Sequence, residues 1–169
     1  MPGTGTFLES VRTPLNSGPR KRLYSIGLKP PNDSLILLSL YHCIYWFMHL
    51  VPVPGKKQSE DGRWYQVVNR GDDPTNWLEN SCSCLYVAAL CKAIRKDLLD
   101  TSYMEYARKG YEGVIRSLTW EGDNLIIGNV CIGTGVGDYD HYIHRPVSAN
   151  DLHGVGAFLL MCEECEQVF

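Results

Sequence analysis

Nine consecutive residues, Asp138-Tyr139-Asp140-His141-Tyr142-Ile143-His144-Arg145-Pro146, put two carboxylates, two imidazoles, two phenols and a guanidinium on one stretch of chain. Paired carboxylates can do acid/base work at a glycosidic centre when a fold aims them into a pocket. Asp138, Asp140, His141 and His144 are also metal-ligand types, although spacing this tight in a loop rarely turns all of them toward one ion. The same residues also read as a solvated loop with local salt bridges. Just upstream, Gly133-Thr134-Gly135-Val136-Gly137 allows backbone amides to approach an anionic ligand. Neither G-x-G-x-x-G nor a Walker lysine is present, and a polar loop follows instead of a helix, so nucleotide binding is rejected.

Two helix starts carry further candidates. Ser148-Ala149-Asn150-Asp151-Leu152-His153-Gly154 opens the last helix, with Ser148 or Asn150 expected as its cap. A helix start aimed into a pocket also favours a carboxylate ligand. His153 lies too far in to cap, which leaves it as a hydrogen-bonded core histidine or a ligand contact. Trp77-Leu78-Glu79-Asn80-Ser81 opens an earlier helix in the same way. Trp77 either stacks on a sugar face or plugs the corner between loop and helix. Cys162-Glu-Glu-Cys165 has C-x-x-C spacing, but no second such pair exists to complete a zinc site. Its place late in an apparent helix is wrong for a thioredoxin-like motif, so it reads as two reduced thiols.

These residues need elements to position them. Trp64-Tyr65-Gln66-Val67-Val68 predicts a brief strand after an Asp61-Gly62 turn, and 69–74 is a loop by composition. A helix is expected from Trp77 or Ser81 to Arg95, with Lys92, Arg95 and Lys96 favourably placed at its C-terminal end. Asp100 or Thr101 caps a second helix to about Trp120, on which Met104, Ala107, Tyr111, Val114, Ile115 and Leu118 follow helical spacing. The short connection predicts that the two pack as an antiparallel hairpin. Glu121 to Asn124 is a turn, Leu125 to Ile132 is extended, 133–149 is a long irregular loop, and a last helix runs from Leu152 to about Gln167. Loops of that length inside compact domains are usually functional or mobile.

The chain has 169 residues, which fits one ordinary domain. Its 44% hydrophobic content rules out wholesale disorder. A net charge of -3 gives no basic footprint for nucleic acid. Charge is uneven: residues 1–33 hold five basic residues (Arg12, Arg20, Lys21, Arg22, Lys29) against two acids (Glu9, Asp33), and the remainder is acidic. The 1–33 segment, rich in Gly, Pro, Ser and Arg, predicts a poorly ordered extension. Ser34 to Gly55 contains no charged residue, and a bilayer span needs ~20 apolar residues. His42, His49, Pro52 and Pro54 argue for a buried helix over 34–50 rather than an anchor over 34–51, so no membrane partner is expected. The seven cysteines are odd in number in a chain that is not short, which argues against a disulfide framework and agrees with a cytoplasmic location.

Four stretches carry a family resemblance: Asp61-Gly-Arg-Trp-Tyr-Gln-Val-Val68, Asn76-Trp-Leu-Glu-Asn-Ser-Cys-Ser-Cys-Leu-Tyr86, Cys131-Ile-Gly-Thr134, and Ser148-Ala-Asn-Asp-Leu-His-Gly-Val-Gly-Ala-Phe158. In order and spacing they resemble the C-terminal half of the unsaturated rhamnogalacturonyl hydrolases, glycoside hydrolase family 105, which are related to the family 88 unsaturated glucuronyl hydrolases. The resemblance implies an all-α fold, part of an (α/α)6 barrel of six helical hairpins with a few short strands, over 34–169. It implies hydration of the double bond of a Δ4,5-unsaturated uronic acid at the end of a pectin-derived oligosaccharide, without metal or organic cofactor. It places substrate contact on Gly133 and Thr134, with Trp77, Asn150, Asp151 and His153 beside them. The family's catalytic Asp, in a Trp-x-Asp context within an N-terminal half, has no counterpart in residues 1–60, so no catalytic residue is assigned and a truncated, inactive copy is expected. Cys82 stands where members often carry glycine. The alternative is a non-catalytic helical-hairpin module that binds sugar or a protein partner.

Overall fold

A computed structural model of the protein describes residues 57–169. The expectations for the 1–33 extension and for 34–51 as helix or anchor lie outside the described residues. Among the described residues, no helix is long and apolar enough to cross a membrane.

The elements run β1 (Trp64–Tyr65), β2 (Leu78–Glu79), α1 (Asn80–Arg95), a 3-10 turn (Thr101–Tyr103), α2 (Met104–Ser117), β3 (Thr119–Glu121), β4 (Asn124–Ile126), β5 (Val130–Cys131), α3 (Tyr139–Ile143), β6 (Val147–Ser148) and α4 (Leu152–Glu166). The strands form three antiparallel pairs, β1 with β2, β3 with β4, and β5 with β6. Trp64 stands opposite Glu79, Trp120 opposite Leu125, and Cys131 opposite Val147. Ladders this short bury little by themselves. Two of them instead fix where α1 and α4 begin.

Helix α1 is the centre of the molecule. Ser83, Cys84, Val87, Leu90, Cys91, Ala93 and Ile94 are all buried, and most are small enough to let neighbouring helices approach closely. Asn80 at its start bonds Ser117 at the end of α2, and Val87 lies against Gly110 midway along α2. The two helices are therefore antiparallel, as the sequence predicts. Gly110 is needed here for space: a Cβ would stand 2.6 Å from Val87 and 2.9 Å from the fully buried Trp64 ring. On the other side of α1, Arg95 near its end pairs with Glu164 near the end of α4. At the opposite end, Glu79 before α1 binds Cys131, beside the strand that leads into α4. So α4 runs parallel to α1, and α1 is flanked by both.

Several boundaries differ from expectation. The second helix stops at Ser117 rather than about Trp120, because Thr119–Glu121 pairs with Asn124–Ile126 around Gly122 at a φ of 62°. A β-branched residue and an aromatic fit that small ladder better than a further helical turn. Asp100 does cap this unit, accepting from Ser102 N at 2.9 Å. The first expected strand shortens to Trp64–Tyr65. The 133–149 loop is not wholly irregular, since it holds α3 and β6. The last helix is capped by Asp151, not by Ser148 or Asn150. Asn150 takes a positive φ of 53°, and its side chain is used across the chain: Oδ1 accepts from Ile127 N and Nδ2 donates to Leu125 O.

Glu164 links α4 to α1 through Lys92 at 3.0 Å and Arg95 at 2.7 Å. Burial pushes its carboxyl up, but the two cations outweigh burial and hold it below its ordinary value. A carboxylate depressed in the folded state adds stability above its unfolded pKa, about 4.3, and loses it as pH falls through the folded value. Denaturant unfolding at pH 7 and at pH 3 should therefore show weaker folding in acid. Glu164→Gln should reduce that pH dependence, and an unchanged profile would refute the role given to the pair.

Candidate functional site

The start of α1 is built around a carboxylate with almost no access to water. Glu79 is 1% exposed. Its Oε1 accepts from Ser81 N at 3.1 Å, Ser81 Oγ at 2.8 Å and Cys131 N at 2.9 Å, and its Oε2 accepts from Cys82 N at 2.5 Å. Two of these donors are free N–H groups of the first helical turn, where negative charge is favoured. The third backbone donor belongs to β5, so one side chain joins a helix start to the strand that leads into the Gly133 loop. The neighbouring Asn80 is fully buried. It accepts from Arg63 Nη1 at 3.0 Å and donates to Gly128 O at 2.8 Å, while Arg63 is itself clamped by Asp61 at 2.6 Å. Burial pushes the Asp61 carboxyl up, but the Arg63 guanidinium outweighs it and holds it below the ordinary range.

Cys82, in the position noted for glycine in the family, is half-buried. Its thiol donates back to Glu79 O at 3.5 Å, so the helix start accommodates it. Asn76 closes the preceding loop. Its amide nitrogen donates to Val67 O and Arg70 O at 2.9 Å each, and its oxygen accepts from Val67 N and Trp77 N.

On this frame the 133–146 loop meets the 66–77 loop. Trp77 is half-buried, and its Nε1 donates to Ile143 O at 3.1 Å, at the end of α3. This bond fixes the ring at the corner between loop and helix while part of it stays exposed. Thr134 is exposed and lies 3.2 Å from His141 Nε2. Asp138 caps α3 by accepting from His141 N at 2.9 Å. Arg145 Nη2 donates to Gly133 O at 2.6 Å and Ile132 O at 3.3 Å, drawing the loop back on itself. A Cβ at Gly133 or Gly135 would meet nothing within 4 Å, so the loop backbone faces open space. Trp77, Gly133 and Thr134 are thus gathered around α3. Among the described residues, no three His, Cys, Asp or Glu side chains converge as a metal site requires.

The other expected contacts lie at the start of α4, just after β6, the strand that pairs with β5. Asn150 is occupied by the Leu125 and Ile127 backbone. Asp151 Oδ1 accepts from His153 N at 3.1 Å and contacts His153 Nδ1 at 2.5 Å. The His153 backbone N–H and then its ring hold the Asp151 carboxyl below its ordinary value. The His153 side chain is 47% exposed, which removes the core-histidine reading. Sequence reasoning missed three residues that border the loop. Thr75 Oγ1 lies 3.4 Å from the Tyr139 hydroxyl, Arg70 stacks 4.5 Å over the Tyr139 ring, and Gln66 Nε2 contacts Cys131 Sγ at 3.2 Å. Gln66 lies inside the Asp61–Val68 stretch, and Arg70 and Thr75 lie between it and Asn76–Tyr86; only that placement could have singled them out. Glu79 was also missed, since a buried capping carboxylate carries no distinct sequence signal.

The α1–α2 hairpin, with α4 beside it, short ladders at the helix starts and an open loop, fits one part of a six-hairpin glycosidase. The model of glycosyl hydrolase family 88 matches residues 47–169, and the chain belongs to that family. Three solved structures share its fold. A Clostridium acetobutylicum (C. acetobutylicum ATCC 824) glycoside hydrolase from family 105 is 30% identical over 76% of this chain and 38% of that one, with a TM-score of 0.67. A possible family 105 member from Salmonella enterica serovar Paratyphi A is 25% identical over 82% and 34%, with a TM-score of 0.66. A possible member from Klebsiella pneumoniae is 23% identical over 75% and 32%, with a TM-score of 0.64, a likeness of fold alone. The chain therefore spans between 32% and 38% of the length of these structures, and its fold is part of an (α/α)6 barrel.

Removing the Glu79 carboxylate leaves two helix-start amides and the Cys131 amide buried without an acceptor. Glu79→Ala should lower stability by roughly 2–4 kcal/mol in chemical denaturation, with Glu79→Gln in between. A loss below about 0.5 kcal/mol for the alanine variant would contradict this role.

Proposed function

We propose that the chain is the sugar-holding part of a hydrolase for oligosaccharides that end in a Δ4,5-unsaturated uronic acid, of the pectin-derived rhamnogalacturonan type. The supporting observation is the family match over 47–169, combined with the gathering of Trp77, Gly133 and Thr134 around one exposed loop. In this reading a general acid protonates C4 of the double bond, water adds at C5, and the hemiketal collapses to release the sugar. The half-buried Trp77 ring offers an apolar surface to pyranose C–H groups, while the Thr134 hydroxyl and the open glycine backbone offer hydrogen bonds to hydroxyls or the carboxylate. Asn150, Asp151 and His153 form the outer edge of the binding region. No metal or organic cofactor takes part, and the free thiols accord with a cytoplasmic setting.

By itself this chain is proposed to bind without turnover. A general acid must hold its proton at working pH, which needs burial or a like charge to raise its pKa. Asp138 and Asp140 are exposed. Asp151 is shifted the wrong way by His153. Glu79 is buried, with its oxygens taken by helix and strand donors.

Incubation with unsaturated galacturonyl-rhamnose, followed through the ultraviolet absorbance of the double bond, should give no turnover above a heat-killed control. Robust turnover would overturn the inactive reading and point to Asp138, Asp140 or Asp151 as the acid. In titration calorimetry with the same disaccharide, Trp77→Ala and Thr134→Val should each weaken binding roughly three- to tenfold. Unchanged affinity in both variants would move the sugar site elsewhere.

A further inference from the structure

Four of the cysteines meet at the interface of the two parallel helices, Cys84 and Cys91 from α1 and Cys162 and Cys165 from α4. All four are free thiols. The Cys91 and Cys165 sulfurs are in contact at 3.7 Å, although 74 residues separate them in sequence. Beside them a cleft of about 360 Å³ opens between α2 and α4, walled by the Cys162 and Cys165 thiols, the Tyr111 and Phe169 rings, the Arg108 guanidinium and the carboxylates of Glu112 and Glu166. A liquid water occupies about 30 Å³, so a hydroperoxide of similar size fits the cleft at Cys165; Cys91, fully buried and 3.7 Å beyond that sulfur, meets peroxide only when the contact between the two helices opens.

We propose that Cys91 and Cys165 form a peroxide-sensitive thiol pair that closes into a disulfide between α1 and α4. The Cys91 thiolate attacks one oxygen of hydrogen peroxide and breaks the O–O bond. This gives Cys91 sulfenic acid and a hydroxide that takes the Cys165 proton and leaves as water. The Cys165 thiolate then attacks Cys91 Sγ, the S–O bond breaks, and the expelled hydroxide gains a proton from solvent. Two thiols are oxidised and one peroxide becomes two waters. The hydrogen bond from Cys165 is the main cause that draws the Cys91 thiol below its ordinary value against burial and the Glu164 carboxylate, with Arg108 adding a smaller pull in the same direction, while the same contact pushes Cys165 up. The shared proton thus leaves Cys91 as the nucleophile and Cys165 as the resolving thiol. The bond would lock α1 to α4 next to the Glu164 ion pairs, at the helix ends opposite the start of the 133–146 loop.

The test treats the folded full chain with hydrogen peroxide, then unfolds and alkylates it and maps cysteine peptides by mass spectrometry. The expected product is a Cys91–Cys165 cross-link in most molecules, reversed by a dithiol reductant. Cys165→Ser should abolish the cross-link and leave a Cys91 sulfenic acid that dimedone captures. Full alkylation of both Cys91 and Cys165 after treatment, oxidation confined to Cys162, or a cross-link that forms only when the chain is unfolded first would overturn the proposal. The wild-type peptide map decides the matter even if the serine variant folds poorly.

Discussion

A single buried carboxylate sets the arrangement of this protein. Glu79 neutralises the open N–H groups at the start of the central helix and, with the same oxygens, holds the strand that feeds the Gly133 loop. A helix start buried without acceptors would cost free energy at each amide, and a buried carboxylate without donors would cost more. Each solves the other's problem. The pairing also requires the two segments to meet in one register, because the Cys131 amide reaches Glu79 only when Val130 and Cys131 lie against α1. Asn80, Arg63 and Asp61 extend the same polar network to Gly128 and to the turn before β1. The site loop is exposed and glycine-rich, yet both of its ends are tied to this rigid network.

Much of this was legible in the sequence, and the misses have physical causes. Helical spacing and the basic residues near Arg95 predict α1 well, and the Met104–Val114 pattern with Asp100 before it predicts α2. The Thr119-Trp120 pair was misassigned because apolar periodicity continues through Leu118, while Gly122 and pairing with β4 decide the conformation. Ser148, Asn150 and Asp151 are all good capping types within four residues. The choice among them is made by tertiary contacts: Asn150 is drawn to the Leu125 and Ile127 backbone, which leaves Asp151 to cap.

The candidate site was legible in composition but not in geometry. Nothing in the Asp138–Pro146 stretch reveals that Trp77 would hold the end of α3, or that Arg145 would bond the carbonyls of its own loop. The family-bearing stretches also change meaning once placed in three dimensions. Asp61, Arg63, Asn76, Glu79 and Asn80 are mainly scaffold, each spent on backbone or buried partners. A match through those residues therefore reports a shared frame more directly than a shared reaction.

The placement of α1 between α2 and α4 bears on the order of assembly. Contacts between α1 and α2 close short loops and form early at low entropic cost. The partners of α4 are distant in sequence: Arg95 and Glu164 are 69 residues apart, and Cys91 and Cys165 are 74 apart. The α1–α2 hairpin can therefore assemble as a local unit during synthesis, whereas the parallel face of α1 stays uncovered until the last turns of α4 have been made. During that interval the uncovered face presents Cys84 and Cys91 to solvent, the stage at which the nascent chain most needs protection from association with its neighbours.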